Sequence, residues 1–397
     1  MSQGPPAAPL EPGSAARRFF GCGCAGCLGL FFFFGMAVLV VVAIPDPVAL
    51  GLAAAAAIMP VPTFVLLVLQ LDRYEREPWL VLAVAFLWGA LVAPFVSAIL
   101  DDLIGDAIAP IVGKVIGDVV TVSAVAPVVE ETSKGLAVFL LFWILRSEFD
   151  DVLDGIVYGS LVGIGFAMTE NVLYFGQIYQ QGGVVGLGVL FYIRVILGGF
   201  GHSLYTGTVG AALGFARETD NRYLATVVPL AGYGLAILQH GAWNFIAGSL
   251  VPAAFTSLNP LVLLLFVLPL ESLFLTGPGL LTLLLIATFA WRREADVIKT
   301  HLWDEVGMGT IRPEEYVALP SLRTRFAEEV AALRRRGLDG WLAQRQFHQA
   351  ATELAFRKWH LARGERLPRG QQITPEDLYR HQIAACRERL AQPPLSS

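Results

Sequence analysis

Six residues set deep in apolar stretches of the chain are of the kinds that move protons or hold metal ions: Glu130, Glu131, Lys134, Glu170, His202 and His240. Ionisable side chains in such surroundings are costly and are functional hypotheses by default. Glu130 and Glu131 diverge by about 100° around a helix, so both reach one centre only by flanking its inner face. Lys134 follows them by four and three residues, the spacing at which helical side chains meet. Its ammonium would hold one carboxylate ionised and leave the other to act as a general base. His240 and Asn244 share a helix face, a pairing suited to a metal or to an oxyanion. Gly198, Gly199 and Gly201 beside His202 permit close helix approach.

Taken singly, each residue has a plainer explanation. A Glu–Lys pair in a span can be a structural ion pair, and a lone histidine can hydrogen-bond a neighbouring helix. Depth makes them a set. Glu130 lies sixteen residues from Arg146, Glu170 sixteen from Asp154, His202 fifteen from Arg217 and His240 eighteen from Arg222. At about 1.5 Å per residue, all four sit roughly 22–27 Å from the inner face. In a hydrocarbon core of about 30 Å that is one layer, in which the four helices should converge. Arg194 and Glu271 fall outside it; Arg194 is a candidate counter-charge and Glu271 has no assignment.

The elements that must position these groups follow from composition. Of 397 residues 55% are apolar and 15% charged, and the mean hydropathy is +0.61. A soluble domain carries about 25% charged residues, so this surface is not built for water. From Arg292 onward eighteen Lys/Arg face fourteen Asp/Glu, whereas residues 1–291 hold ten against nineteen. The chain therefore reads as all-α: a polytopic membrane helix bundle over 17–291, preceded by a disordered N-terminus at 1–16 and followed by a C-terminal cytoplasmic helical domain at 292–397. With about 20 apolar residues per span, eight transmembrane helices are expected: 19–44, 48–71, 79–100, 123–145, 155–175, 186–216, 223–250 and 260–291. The sixth is overlong and Gly-rich, a candidate for a break. The eighth contains Pro269, Glu271 and Gly277-Pro278-Gly279 and is expected to kink. Residues 103–118 suit a helix lying on the membrane surface. Nine arginines on one set of flanks, against Lys114 alone on the other, put both termini in the cytoplasm. Cys22, Cys24 and Cys27 read as small residues easing helix contact rather than as a metal or lipid site. In the tail, Thr374-Pro375-Glu376-Asp377 marks a helix start, and the basic amphipathic stretch from Phe326 to Arg336 reads as a solvated face.

The residues also resemble a known family. Pro127 to Lys134, reading PVVEETSK, resembles the EExxK motif of PrsW-type intramembrane proteases, which are related to the CAAX-processing, glutamic intramembrane protease group. Asp154-Gly155 and the run Phe166 to Glu170 are similar to that family's second block. Gly201-His202 with Thr206-Gly207, and His240 with Asn244, are similar to the third and fourth, and Asp72 to Pro78 resembles its DRYExEP loop. The likeness covers about residues 50–250. It departs from the CAAX-processing enzymes in having Glu170 where they end a motif in His. It also has Asn244 where Asp is frequent, which favours an oxyanion donor there over a carboxylate ligand.

This resemblance implies a bacterial cell-membrane protease acting on a membrane-bound protein such as an anti-sigma factor. Glu130 or Glu131 would activate water, Lys134 would fix their charge and Asn244 would steady the oxyanion. Glu170, His202 and His240 would bind a metal, zinc being the fitting ion, or share the proton transfers directly. The alternative is a proton- or ion-coupled transporter or channel using the same layer as a relay, although the sequence shows no internal repeat of the transporter kind. The expected partners are the lipid bilayer and the protein substrate, with no nucleic acid; the tail could also contact a second copy, giving a homo-oligomer.

Overall fold

The computed structural model describes residues 12–74, 77–146, 148–251, 258–363 and 376–391. Among them the chain is α- and π-helical with no strand. Helix α1 (Pro12–Ala43) leads to α2 (Pro47–Ile58), α3 (Val61–Leu69) and α4 (Trp79–Leu87). A π-helical turn, Trp88–Val92, joins α4 to α5 (Ala93–Val112), and α6 (Lys114–Val120) folds back from it at Gly113. Then come α7 (Ala126–Ile144), α8 (Val152–Phe191), α9 (Gly201–Glu218) and α10 (Leu224–Phe245). The short α11 (Pro260–Val262) and α12 (Leu268–Leu275) precede the long α13 (Gly277–Gly307), followed by α14 (Pro313–Ala318), α15 (Leu322–Ala362) and α16 (Glu376–Ala391). Helix α1 begins at Pro12, inside the segment expected to be disordered; residues 1–11 of that segment lie outside the described residues.

By length and apolar composition five helical segments can cross a bilayer: 26–43, 47–69, 79–112, 152–218 and 224–250. The segment Pro260–Leu275 with Gly277–Gly307, bent by 41°, makes a sixth. The expectation of eight differs for two physical reasons. Helix α7 carries Glu130, Glu131 and Lys134 within 19 residues and is not apolar enough to count by composition. The stretch 152–218 counts once, yet at about 1.5 Å per residue it is far longer than one bilayer is thick. It is interrupted at Gly183 (φ 59°), a left-handed backbone that only glycine adopts freely. It breaks again at 198–200, within the overlong sixth stretch. Residues 103–118 form the tip of the α5–α6 hairpin rather than one surface helix.

Helix α8 is the axis of the bundle. Asp151 caps it, accepting from the amides of Leu153 and Asp154, while Asp154 accepts from the amide of Asp151 at 3.0 Å. Residues 152–166 are buried without exception. Gly155, Gly159 and Gly163, one turn apart, lie against Gly210, Thr206 and His202 of α9 in antiparallel register. A methyl group added at these glycines would fall 2.1, 2.4 and 2.3 Å from the facing carbonyl oxygens. Small residues at this spacing are how helices approach closely without a hydrophobic drive.

The tail has its own core around Ile298, Leu302, Phe347, Leu354, Phe356 and Ile383. It is continuous with the bundle, because the boundary expected at 291/292 falls inside the unbroken helix α13. Tyr74, from the loop between α3 and α4, is buried in that core and donates to the Pro320 carbonyl at 2.6 Å. Three residues on, Glu77 accepts a short hydrogen bond from Tyr158 of α8. The helix start expected at 374–377 agrees with α16 beginning at Glu376; Thr374 and Pro375 lie outside the described residues.

Two measurements test this packing. Gly159→Val drives a side chain into the Thr206 carbonyl and should cost about 2 kcal/mol or more in thermal unfolding in detergent, whereas Gly51→Ala, where nothing lies within 4 Å, should be neutral. Equal behaviour would refute the close approach. Burial lifts the Glu77 carboxyl from near 4.5 to about 8, against the opposing hydrogen bonds of Asp154 and Tyr158. Its contribution to stability is therefore complete below about 4.5 and is lost as pH rises through about 8. Glu77→Gln should flatten the fall of the unfolding midpoint across that window; parallel curves for the two proteins would contradict it.

Candidate active site

The ionisable residues of α7 open onto one buried centre. Pro127 is the second residue of α7, just after the π-helical turn Thr121–Val125, and Glu130, Glu131 and Lys134 then follow within about one turn. Lys134 Nζ lies 2.6 Å from Glu131 Oε1 and 3.4 Å from Glu130 Oε2, and neither Lys134 nor Glu131 has any exposed surface. The ammonium also sits 3.1 Å from His202 Nδ1 and 4.1 Å from the centre of the Phe166 ring. Helix α10 brings His240, whose Nδ1 is 2.9 Å from Glu131 Oε1 and whose Nε2 is 3.7 Å from Glu130 Oε2. Thr206 of α9 donates to the other oxygen of Glu131 at 3.2 Å. Three helices thus supply one network in which every charge has a partner, as a site away from water requires.

The fourth helix contributes differently from what its sequence suggests. Glu170 of α8 lies 2.9 Å from His202 Nε2 and makes a short ion pair with Arg194, which also donates to Asn171 at 2.6 Å. Arg194 sits in the π-helical turn Tyr192–Leu197 and is the counter-charge of Glu170. The side chains able to share one metal ion, with ligand atoms all within 4.8 Å of one another, are Glu130, His202 and His240. Glu170, the carboxylate expected to join the two histidines, is paired with Arg194 and His202, and Glu130 is the carboxylate within reach of both imidazoles. Asn244 is also placed elsewhere. Its amide donates to the Val122 carbonyl at 3.1 Å, in the π-helical turn leading into α7, rather than reaching the carboxylates.

Two imidazoles and a carboxylate are a donor set that suits zinc. The nitrogen of His202 not held by Glu170, Nδ1, faces the Lys134 ammonium at 3.1 Å. Each histidine has one nitrogen against a carboxylate, Glu131 for His240 and Glu170 for His202, with the other nitrogen turned toward Glu130 or Lys134. Metal-binding histidines are commonly held in this way by a carboxylate on the far nitrogen. By donor type the residues present fit a divalent metal, which would compete with the Lys134 ammonium for His202 Nδ1.

Two contributors carry no charge and escaped the search for ionisable groups. Tyr205 stacks on His240, with ring centres 4.9 Å apart and planes 17° from parallel. Thr206 was visible only as part of a motif. Both follow His202 by three and four residues, so the face of α9 that carries the histidine was the available signal.

Fold and site together define a polytopic helical membrane protein with a closed centre of carboxylate, imidazole and ammonium groups. Residues 77–271 match the family model described as PrsW family intramembrane metalloprotease. Protease PrsW of Oceanobacillus iheyensis is 33% identical over 138 residues, which are 34% of this chain and 58% of that protein. Protease PrsW of Clostridioides difficile strain 630 is 29% identical over 184 residues, 44% of this chain and 70% of that one. For Protease PrsW of Bacillus subtilis strain 168 the figures are 34% over 112 residues, 26% and 44%. The chain thus spans roughly half to two-thirds of the length of these relatives. No solved structure matches it.

The Arg194–Glu170 pair is testable without any substrate. Arg194→Gln leaves a buried carboxylate without its cation and should destabilise the protein by about 3 kcal/mol, while adding Glu170→Gln should restore a large part of that loss. Additive losses in the double variant would show that the two side chains do not interact.

Proposed function

We propose that this protein is an intramembrane endopeptidase that hydrolyses a membrane-associated protein. The observation that carries the reading is the convergence of Glu130, Glu131, Lys134, His202 and His240, from three helices, into one buried network. Glu131 is held by Lys134, His240 and Thr206 at once, which suits it to orienting and charge balance. Glu130 has the looser contacts, 3.4 Å to Lys134 and 3.7 Å to His240, and so is the better placed carboxylate to take a proton from an attacking water. His240, held by Glu131 on one side and stacked on Tyr205, is positioned to pass that proton to the leaving amine. Lys134 would offset negative charge as it builds on the scissile carbonyl oxygen.

In the alternative reading Glu130, His202 and His240 would hold zinc, with Glu130 and His240 then acting as ligands in place of carrying the proton. When bound, it would supply Lewis-acid polarisation of the carbonyl and a more acidic water. The substrate suggested by the resemblance is a membrane-bound regulatory protein of the anti-sigma-factor kind, cut within or near the outer leaflet, with both termini of the enzyme in the cytoplasm. Transport through the same layer is disfavoured by the likeness to proteins named as proteases.

Cleavage of a candidate membrane-anchored substrate in proteoliposomes tests this. Glu130→Ala, Glu131→Ala and His240→Ala should each lower turnover by about 100-fold or more, and in the zinc reading a zinc-specific chelator should do the same to the unaltered protein. Unchanged turnover in all three variants removes the protease assignment, and inhibition by the variants but not by the chelator removes the metal.

A further inference from the structure

The stripe of α15 formed by Arg323, Phe326, Val330, Arg334 and Arg335 points away from the tail core. Phe326 is 65% exposed, and the three arginines are exposed as well. Apolar side chains bracketed by arginines along one face are unusual for a surface meant only for water. The helix ends at Gly337, whose positive φ of 64° turns the chain into the second limb of α15. Read as sequence alone, this stretch is a solvated face; its place in the fold says otherwise.

Phe326 belongs to a second feature. A groove of about 460 Å³ runs between the tail and the ends of the bundle helices, with Leu66, Leu69 and Leu82 on the bundle side and Phe326, Trp341 and Arg345 on the tail side. Leu66 and Leu69 end the candidate span 47–69, and Leu66 is 60% exposed on its outer surface. The arginine-flanked stripe is therefore continuous, through Phe326, with a surface that faces hydrocarbon. Arg345 lies 5.1 Å from the Trp341 ring within the groove, and Arg73 lies at its rim on the loop after α3.

We infer that the first limb of α15 forms a docking face for anionic phospholipid headgroups of the adjacent leaflet, beside a groove that Asp72, Glu77 and Glu329 make mixed in charge. The apolar side chains enter the boundary between headgroups and acyl chains, and the arginines engage phosphate. This assignment is independent of peptide hydrolysis. It needs only that the bundle sits in a bilayer, which fixes the height of Leu66 and hence of Phe326.

Full-length protein carrying a photoreactive benzoylphenylalanine at Phe326, or at Val330 as a second position, would be reconstituted in nanodiscs containing zwitterionic and anionic phospholipid. Irradiation followed by intact-mass measurement identifies what is attached. The expected result is a phospholipid adduct in which the anionic species is enriched about threefold over its mole fraction at low salt. Replacing Arg323, Arg334 and Arg335 with Gln should abolish that enrichment while adducts persist. A protein adduct, whether a second copy or another partner, would overturn the assignment. So would the absence of any adduct at both positions, or lipid adducts with no preference for the anionic species.

Discussion

The contact between Lys134 and Glu131 is the constraint around which the rest is arranged. Both side chains are fully buried and their charged atoms are 2.6 Å apart. A pair withdrawn this far from water must be satisfied by its surroundings or it costs several kcal/mol per charge. The surroundings come from other helices. His202 of α9 faces the ammonium, while His240 of α10 and Thr206 of α9 take the two carboxylate oxygens of Glu131. Helices α7, α9 and α10 are thus tied together by groups that no one of them could leave unpaired.

That requirement explains the glycines. His202 meets Lys134 only if α9 lies close against α8, and at Gly163 an added methyl would sit 2.3 Å from the His202 carbonyl oxygen. A larger residue there would push the histidine backbone away from its partners. Gly165, on the other side of α8, allows the same intimacy with α4, where an added methyl would meet the Phe86 carbonyl at 2.2 Å. The central helix is therefore lined with glycine on two sides. It gives up side-chain packing there in exchange for backbone proximity, and that proximity holds the polar centre at a fixed width.

Much of this was legible in the sequence because it depends on local spacing. The i, i+3 and i, i+4 relations of Glu130, Glu131 and Lys134 put them on one face, and a common depth picked out His202 and His240 as their partners. The placing of Glu170 against Arg194, with Glu130 as the carboxylate near both imidazoles, was not legible. It turns on Arg194, 24 residues from Glu170 in the chain, and on a π-helical turn that aims the guanidinium inward. The place of Asn244 was hidden for the same reason, since its partner is the backbone of Val122 rather than a side chain with a recognisable signature. The number of spans was obscured because α7, the helix with the most chemistry, carries three charged residues and so does not pass as a membrane helix by composition.

The tail follows from the same logic of shared surfaces. An appended domain could hang from a flexible linker, but α13 runs unbroken from the apolar region into the tail core, and Tyr74 enters that core from the bundle side. His360 of α15 pairs with Asp150 at 3.0 Å, just before the capped start of α8. Glu77, on the same loop as Tyr74, is hydrogen-bonded to Tyr158, nearly two turns into the same helix. The tail thus meets the end of α8 through His360, and the loop that sends Tyr74 into the tail core meets it through Glu77. Because Glu170 and the glycines that seat His202 lie farther along α8, the helix that orders the site has its other end fixed by the tail, and the two parts of the chain form one folded unit.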